Sequence, residues 1–565
     1  MKNKIITGLF GILLFTSCAD LDLNPLSEGS SENWYSDDTE INLALNDLYR
    51  EYLWDRESNF EMDRMTDDWT QRQAINGFVE GTITSEWSVA RDLWLNTYKG
   101  IARANTILNN LHKVASVIPG EKLAQYTGEA HFMRAALYGR LIFHYGDVPF
   151  YTESLTIEEA FKMGRTNKDV ILEKVYEDFD IAIQNLPISY GGASLSRATK
   201  GAALAFKART ALYMSDWNIV RDAAKACMDL GVYSLYPKFG EYFLSKTKNA
   251  GETIFALPRS FELGSSWSCK NFFTRIAGGS AVAQPSWDLF SSFTCTDGLP
   301  IDESPLYDPR NPFANRDPRC AMTIVEFGTA HLGYIYDPNP YTTKVLNVLT
   351  GTMVSNKGNR SVDRYASYNG LELKKWVDEG WSDDYQTDFD IIIMRYADVL
   401  LMFAEAKIEL NEIDQSALDA INQVRARAYG VNVSATGSYP AVVSTSQAAL
   451  RTIVRTERRS EFAWENRRFY DLIRWKIAEK ALTRPIYGML DVADLKKKVV
   501  DKGLWFFPGI PAIDENGIPD FSAMYQAGLI KLLVERNFDK TRQYLWPIPS
   551  KEIQINDNIK QNTGY

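Results

Sequence analysis

Trp69 is surrounded in sequence by residues that form hydrogen bonds, namely Asp67, Arg72 and Asn76. The stretch from 60 to 82 is polar and mixed, without the apolar period of a helix or a strand. An exposed aromatic ring in such a loop stacks on the C–H face of a sugar ring, and neighbouring carboxylate, guanidinium and amide groups bond to hydroxyls. These residue types predict a carbohydrate-binding surface.

Three further aromatic residues lie in comparable surroundings. Trp267 lies in the segment Gly-Ser-Ser-Trp-Ser, which a core helix would not use, and Tyr334 and Tyr336 lie in His-Leu-Gly-Tyr-Ile-Tyr-Asp. Together with the group around Trp69 they form the predicted ligand-binding set. For each ring, packing within its own loop is the alternative interpretation.

The chain lacks the sequence signatures of common enzymes. There is no H-E-x-x-H, no P-loop, no G-x-G-x-x-G and no G-x-S-x-G. The adjacent acidic pairs Asp67–Asp68 and Asp383–Asp384 are interpreted as solvated loop charges. Carboxylates are abundant, however, so a glycosidase-type pair stays open at this point.

Histidine and cysteine are scarce. The chain has four histidines and five cysteines, and no spacing suits zinc or an EF-hand calcium loop. We therefore expect no cofactor and no metal. With Cys18 set apart, the remaining cysteines allow three disulfide pairings, among which the sequence does not choose. They are Cys227, Cys269, Cys295 and Cys320.

The N-terminus is typical of an exported lipoprotein. Two lysines precede a short apolar run, and Thr16 and Ser17 precede Cys18. Residues 1–17 are predicted to be a signal peptide, Cys18 the lipid attachment site and residues 18–37 a tether. More than one acyl chain on Cys18 would anchor the protein stably to a membrane.

Charge argues against nucleic acid as a partner. The net charge is −10, which disfavours binding to a phosphate backbone. The segment 455–476 contains six arginines, but acidic residues alternate with them at helical spacing. This pattern predicts an ion-paired helix rather than a nucleic-acid surface.

Apolar residues recur at helical spacing through much of the chain and predict a mainly α fold. Two helical hairpins, 199–214 with 217–230 and 395–410 with 414–428, resemble tetratricopeptide-type repeats. In the first, small residues at close spacing favour tight packing of the two arms. Further helices are predicted over 38–54, 83–113, 120–145, 168–186 and 447–480.

The predicted hairpins are separated by a long irregular insert. Residues 38–231 form an N-terminal helical part, 232–390 a loop-rich insert carrying the ligand face, and 391–565 a C-terminal part that is mostly irregular after residue 480. Long irregular segments on a rigid scaffold are where binding residues concentrate. We expect residues 38–565 to form one compact domain.

Several segments in order along the chain resemble the SusD/RagB family of outer-membrane nutrient-binding lipoproteins. The resemblance extends over nearly the whole length. The segments that carry it are Ser17–Pro25, Gly128–Ala135, His144–Pro149, Arg197–Ala203, Arg395–Met402, Ala404–Ala406, Glu457–Arg459, Phe469–Trp475, Leu545–Pro549 and Gln561–Tyr565.

The resemblance implies a right-handed stack of tetratricopeptide-like helix pairs that supports a loop-rich ligand face. It also implies a partner, a SusC-like TonB-dependent outer-membrane transporter, to which the lipoprotein delivers captured oligosaccharide or polysaccharide at the cell surface. It supplies no ligand residues, because the binding loops of this family diverge freely.

Two other functions remain open. A lid of such a transporter would use the same aromatic loops to bind peptide. A helical glycoside hydrolase or lyase would need two carboxylates across a deep cleft, one of them with a perturbed pKa. We expect a binding protein rather than an enzyme.

Overall fold

The computed structural model describes residues 34–54, 60–74, 76–192, 196–381 and 384–565. The predicted signal peptide, Cys18, the tether up to residue 33 and Asp383 lie outside these residues. The helices are α1 (Asp38–Asp47), α2 (Gly77–Glu80), α3 (Ser88–Asn110), α4 (Gly120–Tyr145), α5 (Ile157–Lys162), α6 (Lys168–Asn185), α7 (Lys200–Met214), α8 (Trp217–Asp229), α9 (Phe239–Tyr242), α10 (Trp287–Ser292), α11 (Arg319–Thr323), α12 (Tyr396–Glu409), α13 (Gln415–Ala428), α14 (Gln447–Glu461), α15 (Arg468–Arg474), α16 (Ala478–Ala481), α17 (Val492–Lys498), α18 (Ser522–Gln526) and α19 (Ser550–Ile555).

Helical pairs form a continuous stack, which confirms the predicted mainly α, tetratricopeptide-like scaffold. α3 packs on α4, α4 on α6, α6 on α7 and α7 on α8. α8 then packs on α12, and α12 packs on α13 and α14. The alanines that line α7, among them Ala205 and Ala208, are fully buried. Because their side chains are short, neighbouring helices approach α7 closely.

The strands are short, and each pair between them is antiparallel. They are β1 (Trp69–Thr70), β2 (Thr253–Leu257), β3 (Trp267–Ser268), β4 (Gln284–Pro285), β5 (Ala330–His331), β6 (Tyr334–Ile335), β7 (Lys344–Asn347), β8 (Thr352–Ser355), β9 (Gln386–Thr387), β10 (Ile391–Arg395), β11 (Ile486–Gly488), β12 (Ala512–Ile513), β13 (Pro519–Asp520) and β14 (Lys531–Val534). β5 to β8 form a four-stranded sheet in the insert that the sequence did not predict.

The pairing of β2 with β10 joins the two ends of the insert, with Leu257 opposite Ile391. The chain thus leaves the helical stack and returns to it at the same place. This return allows α8 to pack on α12, although the whole insert separates them in sequence.

Apolar side chains form two large cores. The first fills the helical stack and includes Trp546 near the C-terminus. The second is rich in aromatic residues and combines Trp69, the insert and residues 463–530; Trp287 and Trp376 belong to it. The insert is therefore a packed structure despite its irregular sequence, and it shares its interior with Trp69 and residues 463–530.

The predicted long helix over 447–480 is wrong, because the chain turns between α14 and α15. Trp464 and Asn466 both have φ of 59°, which ends the helix. The Trp464 ring enters the second core, and the Asn466 Oδ1 atom accepts a hydrogen bond of 2.9 Å from the Met62 amide. The predicted helix over 38–54 is also too long, since α1 ends at Asp47.

The charged residues of α14 are paired, but not along one helix as the sequence indicated. Glu461 is fully buried and binds Arg395 at 2.6 Å, Arg319 at 2.9 Å and Arg427. Glu457 binds Arg319 at 2.7 Å. These pairs join α14 to the insert and to the second hairpin, so the charges are not available to a nucleic acid.

The four described cysteines are buried and free, so none of the three possible disulfide pairings forms among them. Burial raises the pKa of Cys227, Cys269 and Cys320 to about 12, which keeps these thiols protonated. Within the described ranges, no helix has both the length and the apolar character to cross a membrane.

Candidate functional site

Trp69 is not the exposed loop residue that the sequence predicted. It lies in β1, its side chain is only 7% exposed, and its ring stacks on Trp464 with centroids 4.4 Å apart. Its neighbours Asp67 and Asp68 misled the prediction because both are buried in ion pairs. Only part of the ring reaches the surface, where it lines two adjacent depressions.

Asp67 is a structural residue and cannot contact a ligand directly. It is fully buried and binds Arg468 at 2.8 Å and Arg459 at 2.9 Å. Burial alone would raise the pKa of Asp67, but the two guanidinium groups outweigh it and hold that pKa well below its usual range. Asp68 binds Arg459 at 2.6 Å, so the interpretation of this pair as solvated charges is wrong.

Asn76 is also occupied by the fold. It caps α2, since its Oδ1 atom accepts a hydrogen bond of 3.1 Å from the Val79 amide. Its Nδ2 atom donates to the carbonyl of Arg64.

Arg72 is half-buried, and its Nη2 atom donates to the carbonyls of Ser280 at 2.5 Å and Tyr365 at 2.9 Å.

The two tyrosines that the sequence predicted as ligand-binding residues differ in their exposure. Tyr336 is 2% exposed, and its hydroxyl donates a hydrogen bond of 2.9 Å to the carbonyl of Gly370. It is therefore a core residue, which contradicts its predicted role. Tyr334 is half-exposed on β6, but it does not line the cavity that contains Trp267.

Trp267 is the predicted aromatic residue that combines a fixed position with an accessible face. It lies in β3, which pairs with β9, and its side chain is half-buried. Its ring packs against Phe272, Phe60 and Phe389 at centroid distances of 5.0, 5.6 and 5.8 Å. These three rings hold the indole in one orientation while it lines a cavity of about 230 Å³.

Polar side chains stand around the same cavity. Gln71 and Asn271 supply amides, and Arg64 supplies a guanidinium paired with Glu61 at 3.3 Å. The Asn271 and Arg64 side chains are exposed to solvent. The remaining lining residues are Trp69, Ser268, Phe272, Val282 and Ala283.

A smaller depression lies on the other side of Trp69 and shares Arg64 and Gln71 with the main cavity. The sequence did not single out these two residues, nor Asn271 and Glu61. The sequence signal that could have identified all four residues is that they lie close to Trp69 or Trp267 along the chain.

The cavity offers chemistry for binding. An aromatic face held by neighbouring rings accepts the C–H face of a sugar, and amides and a guanidinium bond to hydroxyls. Among the described lining residues Glu61 is the one carboxylate, so a pair of facing acids is missing there. No cluster of three metal-ligating side chains occurs in the part of the chain that the structure describes.

Two larger depressions lie elsewhere. A groove of about 430 Å³ between α3, α5 and α19 is mainly apolar, with Leu95 and Phe161 exposed. A cleft of about 680 Å³ runs between α9 and the end of α13, where Met322 and Lys374 face it. The groove includes Trp94, but this residue is buried, and the cleft is lined by no tryptophan among the described residues. The half-exposed Trp267 therefore makes its cavity the better candidate for a sugar.

Known proteins resemble this chain in sequence and in fold. Residues 270–565 match a family model described as the SusD family, and residues 24–212 match one described as starch-binding associating with outer membrane. The SusD-like protein P25 of Formosa agariphila is 26% identical over 523 residues, which cover 84% of this chain and 90% of that protein.

Solved structures agree. A SusD-like carbohydrate binding protein of Bacteroides fragilis is 28% identical with a TM-score of 0.75, covering 93% of this chain and 99% of that one. A second SusD-like protein of the same species is 25% identical with a TM-score of 0.72, covering 95% and 99%. Because the family model spans more than half of the chain, and because the helical stack matches these structures, the protein belongs to the SusD family.

Proposed function

We propose that the protein is a cell-surface glycan-binding lipoprotein that captures an oligosaccharide at the Trp267 cavity. It then delivers the sugar to a SusC-like TonB-dependent outer-membrane transporter. The observation that carries the proposal is the Trp267 indole, held by three aromatic rings and edged by Gln71, Asn271 and Arg64. Family membership and the carbohydrate-binding relative from Bacteroides fragilis support it.

Capture without cleavage fits the residues of this cavity. The carboxylate of Glu61 lies beside Arg64, and a hydrolase would need a second acid across the bound sugar. A shallow site of this kind binds with a dissociation constant of about micromolar to millimolar, or roughly −4 to −8 kcal/mol. Weak binding suits a protein that must release its cargo to a transporter.

Affinity electrophoresis against a panel of polysaccharides tests the capture step, using protein that begins at Ala19. Trp267→Ala should abolish retardation by the bound glycan, and Asn271→Ala should weaken it with little effect on folding, because the Asn271 side chain is exposed. Tyr341→Ala is the matched control, since Tyr341 is 53% exposed and does not line the cavity.

The same gels separate the alternatives. Products released from the glycan would favour a hydrolase. Retardation by peptides but by no glycan would favour a peptide-binding lid. Retardation that survives Trp267→Ala would place the site elsewhere.

Membrane attachment and delivery are tested in cells that express the natural chain. Cys18→Ala should release the protein from the outer membrane, because the lipid is the proposed anchor. A tagged wild-type protein should co-purify with a TonB-dependent barrel from solubilised outer membranes. Recovery of the protein without any barrel would contradict the proposed partner.

A further inference from the structure

Three arginines surround one exposed tyrosine ring beside the Trp267 cavity. The guanidinium carbons of Arg364, Arg72 and Arg275 lie 4.6, 5.4 and 5.8 Å from the centroid of Tyr365. Tyr365 is 41% exposed, so the cluster opens to solvent. Cation–π contacts hold the positive groups around the ring.

The positive charge of this cluster exceeds its negative charge. Asp363 binds Arg275 at 3.0 Å. Among the described residues, no other carboxylate forms an ion pair with any of the three arginines. Arg364 donates a hydrogen bond of 2.5 Å to the Tyr365 hydroxyl. Arg72 donates to two backbone carbonyls, which carry no formal charge. Two positive charges therefore have no counter-ion in the part of the chain that the structure describes.

Glu372, which together with Asp363 acts electrostatically on Arg72, does not supply the missing charge. Its carboxyl is fully buried, and burial raises its pKa to about 8 although Arg72 opposes this shift. At neutral pH the carboxyl is mostly protonated and neutral. The excess of positive charge persists in a chain whose net charge is −10.

The cluster and the cavity share two segments of the chain. Arg72 follows Gln71, which lines the cavity. Arg275 and Ser280 lie in the loop between Asn271 and Val282, and the Val282 amide donates a hydrogen bond of 3.0 Å to the carbonyl of Asn271. A chain of sugars bound at Trp267 therefore has the arginine cluster beside it.

We propose that this site selects polyanionic glycans, whose carboxylate or sulfate groups bind Arg364, Arg72 and Arg275 while a neighbouring sugar stacks on Trp267. The inference rests on the proposed function. Guanidinium groups bind planar and tetrahedral oxyanions through paired hydrogen bonds, which neutral hydroxyls do not match. Carboxylated and sulfated glycans share this chemistry.

The test is isothermal titration calorimetry on the full-length lipoprotein in detergent. The probes are polygalacturonate with its fully methyl-esterified form, and a sulfated carrageenan with its chemically desulfated form. Each pair keeps the sugar backbone and removes the charge. We expect at least one acidic polymer to bind at least about tenfold more tightly than its neutral partner, and increasing salt to weaken this binding.

Variants identify the residues. Arg364→Gln should weaken binding of the acidic polymer about fivefold, and Arg364→Lys should restore part of the loss because it keeps the charge. Arg91→Gln is the charge-matched control, since Arg91 lies on α3 and is paired with Asp92. Trp267→Ala should abolish binding of both members of a pair.

The outcomes separate the two proposals. Equal or stronger binding of the neutral polymers, lost in Trp267→Ala, overturns the anionic selectivity and leaves glycan capture in place. Binding of an acidic polymer that Arg91→Gln weakens as much as Arg364→Gln also overturns it, because the effect would be that of overall charge. No binding of any glycan overturns both. Tighter binding of the carboxylated than of the sulfated polymer, or the reverse, shows which anionic group the arginine cluster prefers.

Discussion

The helical stack and the loop-rich insert are stabilised in different ways. The stack uses short side chains in register, such as Ala205 and Ala208, which allow helices to pack closely. The second core, which contains the interior of the insert, uses large aromatic rings drawn from distant segments, as when Trp69 stacks on Trp464. The first kind of packing repeats along the chain, whereas the second is built once and depends on the whole fold.

Buried charges join these two regions. Arg319 and Lys375 belong to the insert and bind Glu461 and Glu465 at or just after the end of α14. A network of this kind must be complete, because one missing partner leaves a buried charge uncompensated. The comparison suggests that the scaffold tolerates change by repacking, whereas the junction does not.

The largest expected effect is therefore at the junction. Glu461→Gln would remove the one carboxylate among the described residues that Arg395, Arg319 and Arg427 all bind, while Arg395 and Arg427 keep Glu252. The loss should lower the free energy of unfolding by about 3–5 kcal/mol. Urea unfolding measures the loss. Because the network joins the insert to the stack, we also propose that residues 38–565 unfold in a single transition.

The control and the pH dependence sharpen this prediction. Glu177→Gln removes an exposed acid paired with Lys174 and should change stability little. The pKa of Glu461 lies below its usual range because Arg427 and its neighbours outweigh burial. Its stabilisation is present above the unfolded pKa and is lost as the pH falls toward the folded one. A variant as stable as the wild type would contradict the role of the junction.

Trp69 and Trp267 offer the next test, because the same residue type occupies the interior and the edge of the second core. Trp69→Ala should lower the free energy of unfolding by about 3–5 kcal/mol, since its ring is stacked and buried. Trp267→Ala should cost roughly half as much but abolish glycan retention. Thermal melts and affinity gels on both variants measure the two effects, and a reversed pattern would move the site to Trp69.

The contrast between these tryptophans also shows how far the sequence leads. Helix positions were predictable because apolar period and small residues act locally, and α4 occupies the predicted range 120–145. Trp69 was assigned wrongly because its neighbour Asp67 looks solvated in the sequence. The ion-pair partners of Asp67, Arg459 and Arg468, lie about 400 residues further along the chain and could not be read from its neighbours.

The candidate site was partly predictable for the same reason. Trp267 was found from its unusual local sequence. Gln71, Arg64 and Asn271 were missed because the cavity exists only where residues 61–71 meet residues 267–283. No local pattern encodes that meeting, which depends on the packed interior of the insert.

Glu372 differs from the acids of the junction because, within the described ranges, neither oxygen of its buried carboxyl has a hydrogen-bond partner. Burial raises its pKa to about 8, so the folded state keeps a proton that the unfolded chain releases above about pH 4.3. Stability should then fall as the pH rises from about 4.3 to about 8, opposite in direction to the effect of Glu461.

The variant Glu372→Gln isolates this effect, because an amide of similar size does not ionise. Between pH 5 and pH 8 the wild type should lose on the order of 3 kcal/mol relative to the variant. Urea unfolding at the two pH values measures this difference. If the difference in free energy of unfolding between the two proteins is the same at both pH values, Glu372 is ionised in the folded protein. The excess positive charge around Arg72 would then be smaller by one.

The smallest expected effect is within the stack itself. Ala205 is fully buried in α7, and Ala205→Leu adds volume where neighbouring helices are already in contact. We expect a loss of about 1–3 kcal/mol in the free energy of unfolding, because the helices must separate or the leucine must adopt a strained rotamer. Ala448→Leu on the exposed face of α14 is the control and should be nearly neutral. If Ala205→Leu unfolds like the control, small side chains do not set the spacing of the stack. The scaffold would then owe its geometry to the same long-range contacts that hold the insert.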